Sequence, residues 1–167
     1  MIKAIETRRS IRKYNPDVPV TKEQMKQLLT AAMLAPSARN TRPWEFIAVT
    51  NRSKLDEIAG IHPYAQMCKT ATAAIIVVGL PQDDGLTGYF TQDCGAATQN
   101  ILLEAADMGL GTCWCGVYPR EERIKPFAEL FGLIEPKVPF CVIAIGVPDE
   151  SPAQRGFYEE AKVSFID

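Results

Sequence analysis

Apolar positions recur along this chain at two spacings, one typical of helices and the other typical of strands. Thr21 and Gln24 have the spacing of a capping box, and apolar residues then follow at intervals of three and four until Pro36. This pattern predicts an amphipathic helix. A second helix is predicted from Asp93 to Met108, where charges are few and Gly109 provides a stop signal.

Short apolar runs predict four strands, at residues 45–50, 73–80, 112–117 and 138–147. Between them, Asn51 or Ser53 can cap a short helix that runs through Ile58. Residues 119–131 contain helical segments that we expect to be interrupted at Pro126 and closed by Gly132. No repeat or linker divides the chain, so we expect one domain over residues 1–167.

For two segments the sequence does not determine what they pack against. The helix from 93 to 108 is apolar nearly all round, and the small residues 95–97 allow another helix to approach closely. It can therefore be a subunit interface or the central core helix of a monomer. After Pro148 the chain becomes polar and ends in the apolar residues 163–166, which either fray or dock elsewhere.

Composition places the chain among ordinary globular proteins, with 47% hydrophobic and 23% charged residues in 167. Its longest apolar run, residues 73–80, is much shorter than the roughly 20 residues of a membrane-spanning helix. No basic opening precedes an apolar stretch as in a secretory signal. These features predict a soluble, cytoplasmic protein that does not enter a membrane.

Charge is distributed unevenly. Residues 1–54 contain eleven Lys and Arg against four Asp and Glu, a balance of +7. Because the net charge of the whole chain is −2, residues 55–167 carry −9. A basic segment on an acidic protein indicates a localised anion site. A pI near 5.5 and the absence of a recognisable nucleic-acid module argue against nucleic acid, so a small phosphate-bearing ligand is the better candidate.

Few residues here suit hydrolytic or metal chemistry. The only histidine, His62, precedes Pro63 and is interpreted first as an ordinary polar loop residue, with a catalytic dyad as the lesser alternative. Cys113 and Cys115 point to one face of a predicted strand. A redox or metal pair is conceivable there, but the five cysteines lie mostly among apolar neighbours, so we expect reduced packing thiols and no metal.

The strongest chemical signal is the segment 7–13, which holds four cations and two hydroxyls in seven residues. If the chain is extended here, Arg8, Ser10 and Arg12 point in the same direction and form a clamp for a phosphate or a polar ring. Taken alone, the segment could equally be a solvated basic surface.

Four motifs together resemble one known family. They are R-R-S-x-R at 8–12, P-S-x-x-N-x-x-P-W-x-F at 36–46, the helix from Gln92 to Asn100, and G-L-G-T-C-W-C-G at 109–116. In this order and spread over most of the chain, they resemble the small FMN-binding nitroreductases. The sequence differs from the family pattern at Arg42, where Gln is common.

The resemblance implies a set of FMN contacts. Those to the phosphate, the ribityl chain and the pyrimidine edge would come from Arg8, Arg9, Ser10 and Arg12. Contacts from the partner subunit would come from Pro36, Ser37, Ala38 and Asn40. A polar residue near the ring would be Gln66, backbone N–H groups facing the ring would be those of Cys115 and Gly116, and Arg155 would close the phosphate site.

The same resemblance implies an α+β fold with a central, mostly antiparallel sheet flanked by helices, in an intertwined homodimer with residues 150–167 docked on the partner. It also implies ping-pong hydride transfer from NADH or NADPH through FMN to a nitroaromatic, quinone or similar acceptor, with no catalytic acid or base. A specialised relative, dehalogenase-like or flavin-fragmenting, is one alternative, although such enzymes usually carry extra lid segments. A flavin-binding storage or sensor protein without turnover is the other.

Overall fold

The computed structural model describes residues 1–81, 88–154 and 156–166. Its helices are α1 (Lys3–Thr7), α2 (Lys22–Met33), α3 (Arg52–Ile61), α4 (Phe90–Asp107) and α5 (Glu121–Phe131). Its strands are β1 (Tyr14–Asn15), β2 (Trp44–Val49), β3 (Ala73–Gly79), β4 (Gly111–Gly116) and β5 (Val138–Pro148). No described helix combines the length and the apolarity needed to span a membrane.

Strand β5 organises the sheet. It pairs antiparallel with β3 along one edge and with β4 along the other, while β2 pairs antiparallel with β3 and forms an outer edge. The short β1 joins the end of β5, beyond the end of β4. Apart from one parallel bridge between Ser10 and Thr112, the pairing is antiparallel.

Helices cover both faces of this sheet, and β3 is consequently buried at every position. One core lies between the sheet and helices α2 and α4, and includes Leu28, Ile101 and Ile143. The other lies between the sheet and helices α3 and α5, and includes Leu55 and Phe127. The predicted α+β class, with a mostly antiparallel sheet flanked by helices, is therefore confirmed.

The element predictions were correct in kind and less accurate at the boundaries. The capping box at Thr21 is formed in both directions, and Gly109 and Gly132 adopt the positive φ expected after a helix. The expected interruption at Pro126 is wrong, because α5 continues through it. The N–H that Pro126 lacks would have bonded to the carbonyl of Glu122, which is exposed in the first turn and can bind water instead.

The N-terminal segment packs against two glycines of the sheet. A Cβ on Gly111 would lie 2.8 Å from Ile11 Cγ2, and a Cβ on Gly146 would lie 2.9 Å from Tyr14 Cδ1. The buried Tyr14 hydroxyl donates to the carbonyls of Ile11 at 2.6 Å and Ala144 at 3.2 Å. Burial raises the pKa of Tyr14, so this hydroxyl remains a donor.

We predict that Gly146→Ala lowers the free energy of unfolding by about 1–3 kcal/mol, because the added methyl group would overlap the Tyr14 ring. Gly60→Ala is the matched control: its Cβ would meet no atom within 4 Å, and alanine favours the helix by up to about 1 kcal/mol. Urea denaturation of both variants measures the difference. Equal stability of the two would show that the segment does not pack closely on the sheet.

Candidate functional site

The basic segment lies along the outer edge of β4. The Ile11 N–H donates to the carbonyl of Thr112 at 2.8 Å, and Ile11 itself is buried. A cleft of about 380 Å³, here called the basic cleft, is lined by Arg8, Arg9, Ser10, Arg12, Glu150, Pro152 and Ala153. The structure thus brings the four predicted residues of this segment to one place.

Glu150 anchors the segment from the other side. Its Oε1 accepts the backbone N–H groups of Arg12 and, at 3.1 Å, of Lys13, while the Asp149 N–H donates to the Lys13 carbonyl at 2.9 Å. Sequence reasoning missed Glu150, since an acidic residue beyond the last strand carries no local signal of this contact. In the described part of the chain, Arg8, Arg9 and Arg12 form no ion pair. The cleft therefore keeps a net positive charge suited to an anion.

A second cleft, of about 470 Å³, adjoins the first and is here called the thiol cleft. It is lined by Arg12, His62, Pro63, Tyr64, Gln66, Met67, Cys113, Trp114, Cys115 and Gly116. Arg12 lines both clefts. A ligand with an anionic end and a planar, less polar end could occupy the two together.

The backbone at the end of β4 faces the thiol cleft at one of the two predicted positions. The carbonyl of Thr112 points away from β5, toward Ile11. Backbone groups alternate in direction along an antiparallel strand, so those of Gly116, four residues later, also point to the outer edge. By the same alternation the N–H of Cys115 faces β5. Of this pair, Gly116 is the residue whose N–H can serve a ligand.

The cysteine side chains here are packing groups. Cys113 and Cys115 are buried on the same face of β4, as the strand period predicts. A hydrogen bond with Cys113 and burial raise the pKa of Cys115, whose thiol donates to the carbonyl of Tyr64 at 3.1 Å. Burial raises the pKa of Cys68 to about 12. Within the described ranges, no group of three or more potential ligands could hold a metal ion.

His62 is not the ordinary polar loop residue that the sequence suggested, because it is 1% exposed. Its Nε2 lies 2.9 Å from the carbonyl oxygen of Gly116, and its Nδ1 accepts the N–H of Tyr64 at 3.1 Å. Arg123 also donates to the Gly116 carbonyl, at 3.0 Å. The position of His62 directly after an amphipathic helix could have indicated its burial, because a side chain at that position can enter the core.

The loop predicted to serve the partner has a strained, well-supported backbone. Arg39, Asn40 and Arg42 have φ values of 49°, 56° and 50°, which are unfavourable for residues other than glycine. Ser37 Oγ accepts the Arg42 N–H at 2.9 Å, and Asp93 Oδ1 accepts the Ala38 N–H at 3.0 Å. These contacts hold the loop containing Pro36, Ser37, Ala38 and Asn40.

Within one chain this loop does not reach the basic cleft. Asp93, which holds Ala38, is in the first turn of α4, whereas Ala106 near its end shares a pocket with Arg8 and Arg9. At 1.5 Å per residue, these two positions are about 20 Å apart along the helix. The structure therefore separates two groups of predicted residues that the resemblance assigns to one ligand.

Asp93 is a further residue that sequence reasoning did not single out for the site. Its side chain is buried, and its Oδ2 has no hydrogen-bond partner among the described residues. A buried carboxylate oxygen without a donor is unfavourable by itself. Its position beside the loop indicates that support of this loop is the reason for an acidic residue at this point of α4.

The remaining predicted residues differ in how well they are placed. Gln66 lines the thiol cleft, but its amide nitrogen donates to the carbonyl of Ala59. Arg155 lies outside the described residues. Arg42, where the sequence differs from the family pattern, donates from Nε to Asn40 Oδ1 at 3.1 Å and so belongs to the loop itself.

Comparison with known proteins gives consistent matches. The sequence pattern of the Nitroreductase family matches residues 5–74 and 62–147. A Methanothermobacter thermautotrophicus protein named "Putative NADH dehydrogenase/NAD(P)H nitroreductase" is 45% identical over 163 residues, covering 98% of this chain and 85% of its own length.

Solved structures agree in fold. A protein of the same name from Parabacteroides distasonis superposes with a TM-score of 0.91 at 39% identity, covering 99% of this chain and 96% of its own. An FMN-dependent nitroreductase from Clostridium difficile superposes with a TM-score of 0.89 at 32% identity, covering 100% and 99% of the two chains.

Proposed function

This chain belongs to the nitroreductase family, and from that premise we propose that it is an FMN-dependent oxidoreductase that passes hydride from NADH or NADPH to a small oxidised acceptor such as a nitroaromatic or a quinone. The observation that carries the proposal is the adjacency of the basic cleft and the thiol cleft through Arg12. FMN has a phosphate at one end and a planar ring at the other, and the two clefts match these ends in charge and polarity.

The residues of the basic cleft would bind the phosphate and the ribityl chain. Arg8 and Arg9 supply planar guanidinium donors, which suit phosphate oxygens, and Ser10 adds a hydroxyl. Arg155 would complete this end, as the resemblance implies. Because no described carboxylate neutralises Arg8 and Arg9 by an ion pair, their charge is available to the ligand.

The residues of the thiol cleft would orient the ring and adjust its reactivity. When bound, FMN supplies the hydride-accepting chemistry, and the protein supplies binding, orientation and electrostatics. Arg12 would stand at the pyrimidine edge, where a cation favours the negative charge of the reduced cofactor. The Gly116 N–H would donate to the ring, and Gln66 would border it. Cys115 would contribute through its backbone and packing rather than as a nucleophile.

A second copy of the chain would complete each site. The loop bearing Pro36, Ser37, Ala38 and Asn40 is about 20 Å along α4 from the arginines of its own chain, which favours a contribution to the same cofactor from another subunit. We therefore propose a homodimer in which residues 1–167 form one FMN-binding unit. Of the predicted tail 150–167, Glu150 contacts Arg12 and Lys13 of its own chain. The later part of the tail would dock on the partner, because Phe157, Phe165 and Ile166 are 83%, 80% and 97% exposed in the single chain.

The proposed activity predicts a yellow protein with turnover. The purified protein, supplemented with FMN, is expected to show flavin absorbance bands and to oxidise NADH or NADPH steadily when a quinone or nitroaromatic is present. Flavin bands without turnover would support a storage or sensor protein instead. Absence of flavin bands after FMN addition would overturn the proposal.

We predict that Arg8 and Arg12 contact different parts of the cofactor. Arg8→Ala should weaken FMN binding by about ten- to a hundred-fold, because a charge-assisted hydrogen bond is worth about 1.5–3 kcal/mol, and should barely change the binding of riboflavin, which lacks the phosphate. Arg12→Ala should weaken both ligands, since Arg12 lines both clefts. Lysine at either position should restore binding only partly.

The control for this titration is Lys26→Ala, which removes an exposed positive charge on α2 away from both clefts. Its FMN affinity is expected to equal that of wild type. If both arginine variants also bind as wild type does, the segment is a solvated basic surface and the cofactor lies elsewhere.

The assembly is predicted to depend on the C-terminal tail. Deletion from Phe157 onward should yield aggregated or FMN-free protein, because it removes the apolar residues that would cover the partner. Glu160→Ala, in the exposed polar part of the tail, should leave assembly unchanged. Sedimentation that shows a folded, FMN-loaded monomer, in wild type or in the deletion, would refute the shared site.

A further inference from the structure

His62 is the only histidine of the chain, and its contacts determine which ring nitrogen carries the proton. The Tyr64 N–H points at Nδ1 from 3.1 Å, so Nδ1 must present a lone pair. Nε2 therefore holds the proton and donates it to the Gly116 carbonyl at 2.9 Å. The buried ring is neutral and has both nitrogens satisfied.

Further contacts join the His62 loop to the end of β4 and to α5. Arg123 on α5 donates to the same Gly116 carbonyl at 3.0 Å, and its guanidinium lies 5.3 Å from the centre of the Tyr64 ring. The Cys115 thiol donates to the Tyr64 carbonyl at 3.1 Å. Phe127 on α5 packs edge-on against His62 at 6.0 Å. Two walls of the thiol cleft are thus fastened to each other.

The backbone of Gly116 needs such support, because glycine has more conformational freedom than any other residue type would have at this position. It has no side chain, and among the described residues nothing lies within 4 Å of where its Cβ would be, so side-chain packing does not restrict its φ and ψ angles. Its carbonyl and its N–H both belong to the outer edge of β4. The β4–β5 pairing at Cys115 holds the peptide plane that carries the Gly116 N–H, and the two donors to the Gly116 carbonyl hold the following plane, so the direction of the N–H is fixed from both sides.

We propose that His62 is a positioning residue: in its neutral form, with the proton on Nε2, it holds Gly116 so that the Gly116 N–H is directed at the ring of the bound FMN. The inference rests on the proposed function, since it assigns His62 a role in that same site. It makes cofactor binding depend on the protonation state of a residue whose two ring nitrogens are bonded to the protein itself.

Protonation of His62 would disrupt this arrangement. A proton on Nδ1 would confront the Tyr64 N–H, placing two donors against each other. The titratable and charged groups around the ring are Arg123 on α5, Cys115 on β4 and Tyr64 in its own loop. Burial lowers the pKa of His62, and the charge of Arg123 acts in the same direction.

The sign of the pH dependence follows from this direction. With the pKa lowered in the folded protein, the stabilisation from neutral His62 is complete above its ordinary value of about 6.5 and is lost as pH falls through the lowered value. FMN binding that requires neutral His62 must weaken as pH falls below the lowered pKa, because only there does His62 of the folded, FMN-free protein take up a proton. By linkage, bound FMN must lower the pKa of His62 further.

Two isosteric variants separate the contacts. In His62→Gln the amide nitrogen can occupy the position of Nε2 and keep the donor to Gly116, whereas in His62→Asn the amide oxygen can keep only the acceptor for Tyr64. FMN titration of the stripped proteins should show His62→Gln close to wild type above pH of about 6.5 and His62→Asn at least ten-fold weaker. His62→Gln should also lack the acid-side loss of affinity, a difference that a purely structural role would not produce.

Nitrogen NMR of the wild type tests the same idea without a substitution, because the single imidazole needs no assignment. The expected result is an Nε2–H tautomer with a lowered pKa that falls further when FMN is added. An Nδ1–H tautomer, a pKa that FMN leaves unchanged, or equal FMN affinity of the two variants would overturn the inference while leaving the proposed function standing. Wild type that binds no FMN would overturn both.

Discussion

The attachment of residues 10–15 to the sheet is the interaction on which the rest of the site depends. Gly111 and Gly146 leave room for Ile11 and Tyr14, and the Tyr14 hydroxyl ties the segment to the carbonyl of Ala144. Burying Ile11 and Tyr14 leaves Arg12 and Lys13, which lie between them, exposed to solvent. A segment with only two residues in a regular strand thus holds a concentration of positive charge beside β4 and the end of β5.

The two clefts differ in charge, because the side chains that line them differ in exposure to solvent. The basic cleft is built from long side chains at the surface, where guanidinium groups stay hydrated until an anion replaces the water. The thiol cleft is lined largely by buried groups, among them a histidine with both nitrogens bonded and the Cys115 thiol, whose pKa is raised. A hydrogen bond with Cys115 lowers the pKa of the neighbouring Cys113 thiol to about 7. Arg12 lies at the junction of the two clefts, while Arg123 contacts the wall of the thiol cleft at the Gly116 carbonyl and the Tyr64 ring.

Local patterns in the sequence were enough for most elements and for the basic segment, because capping, helical periodicity, buried strands and clustered charge leave strong local signals. The other candidate site residues were assigned only through the family resemblance. Long-range partners could not be predicted in this way. Glu150 reaches back to Arg12, and His62 reaches Gly116, across separations that no spacing rule encodes. The error at Pro126 has a similar origin, since its tolerance depends on solvent at Glu122 rather than on the proline itself.

The length of α4 links cofactor binding to assembly. Its first turn carries Asp93 and the loop at Ala38, while its last turn borders the pocket of Arg8 and Arg9. The helix keeps these groups about 20 Å apart in each chain, and in the homodimer that we propose a second copy would bring its loop to the cofactor site of the first. In such an arrangement each cofactor contacts both chains, and its binding free energy also stabilises the dimer. In the proposed dimer the buried Asp93, bonded through one oxygen to the Ala38 N–H, would keep the strained loop ordered for the neighbouring subunit, so that little ordering would remain to oppose binding.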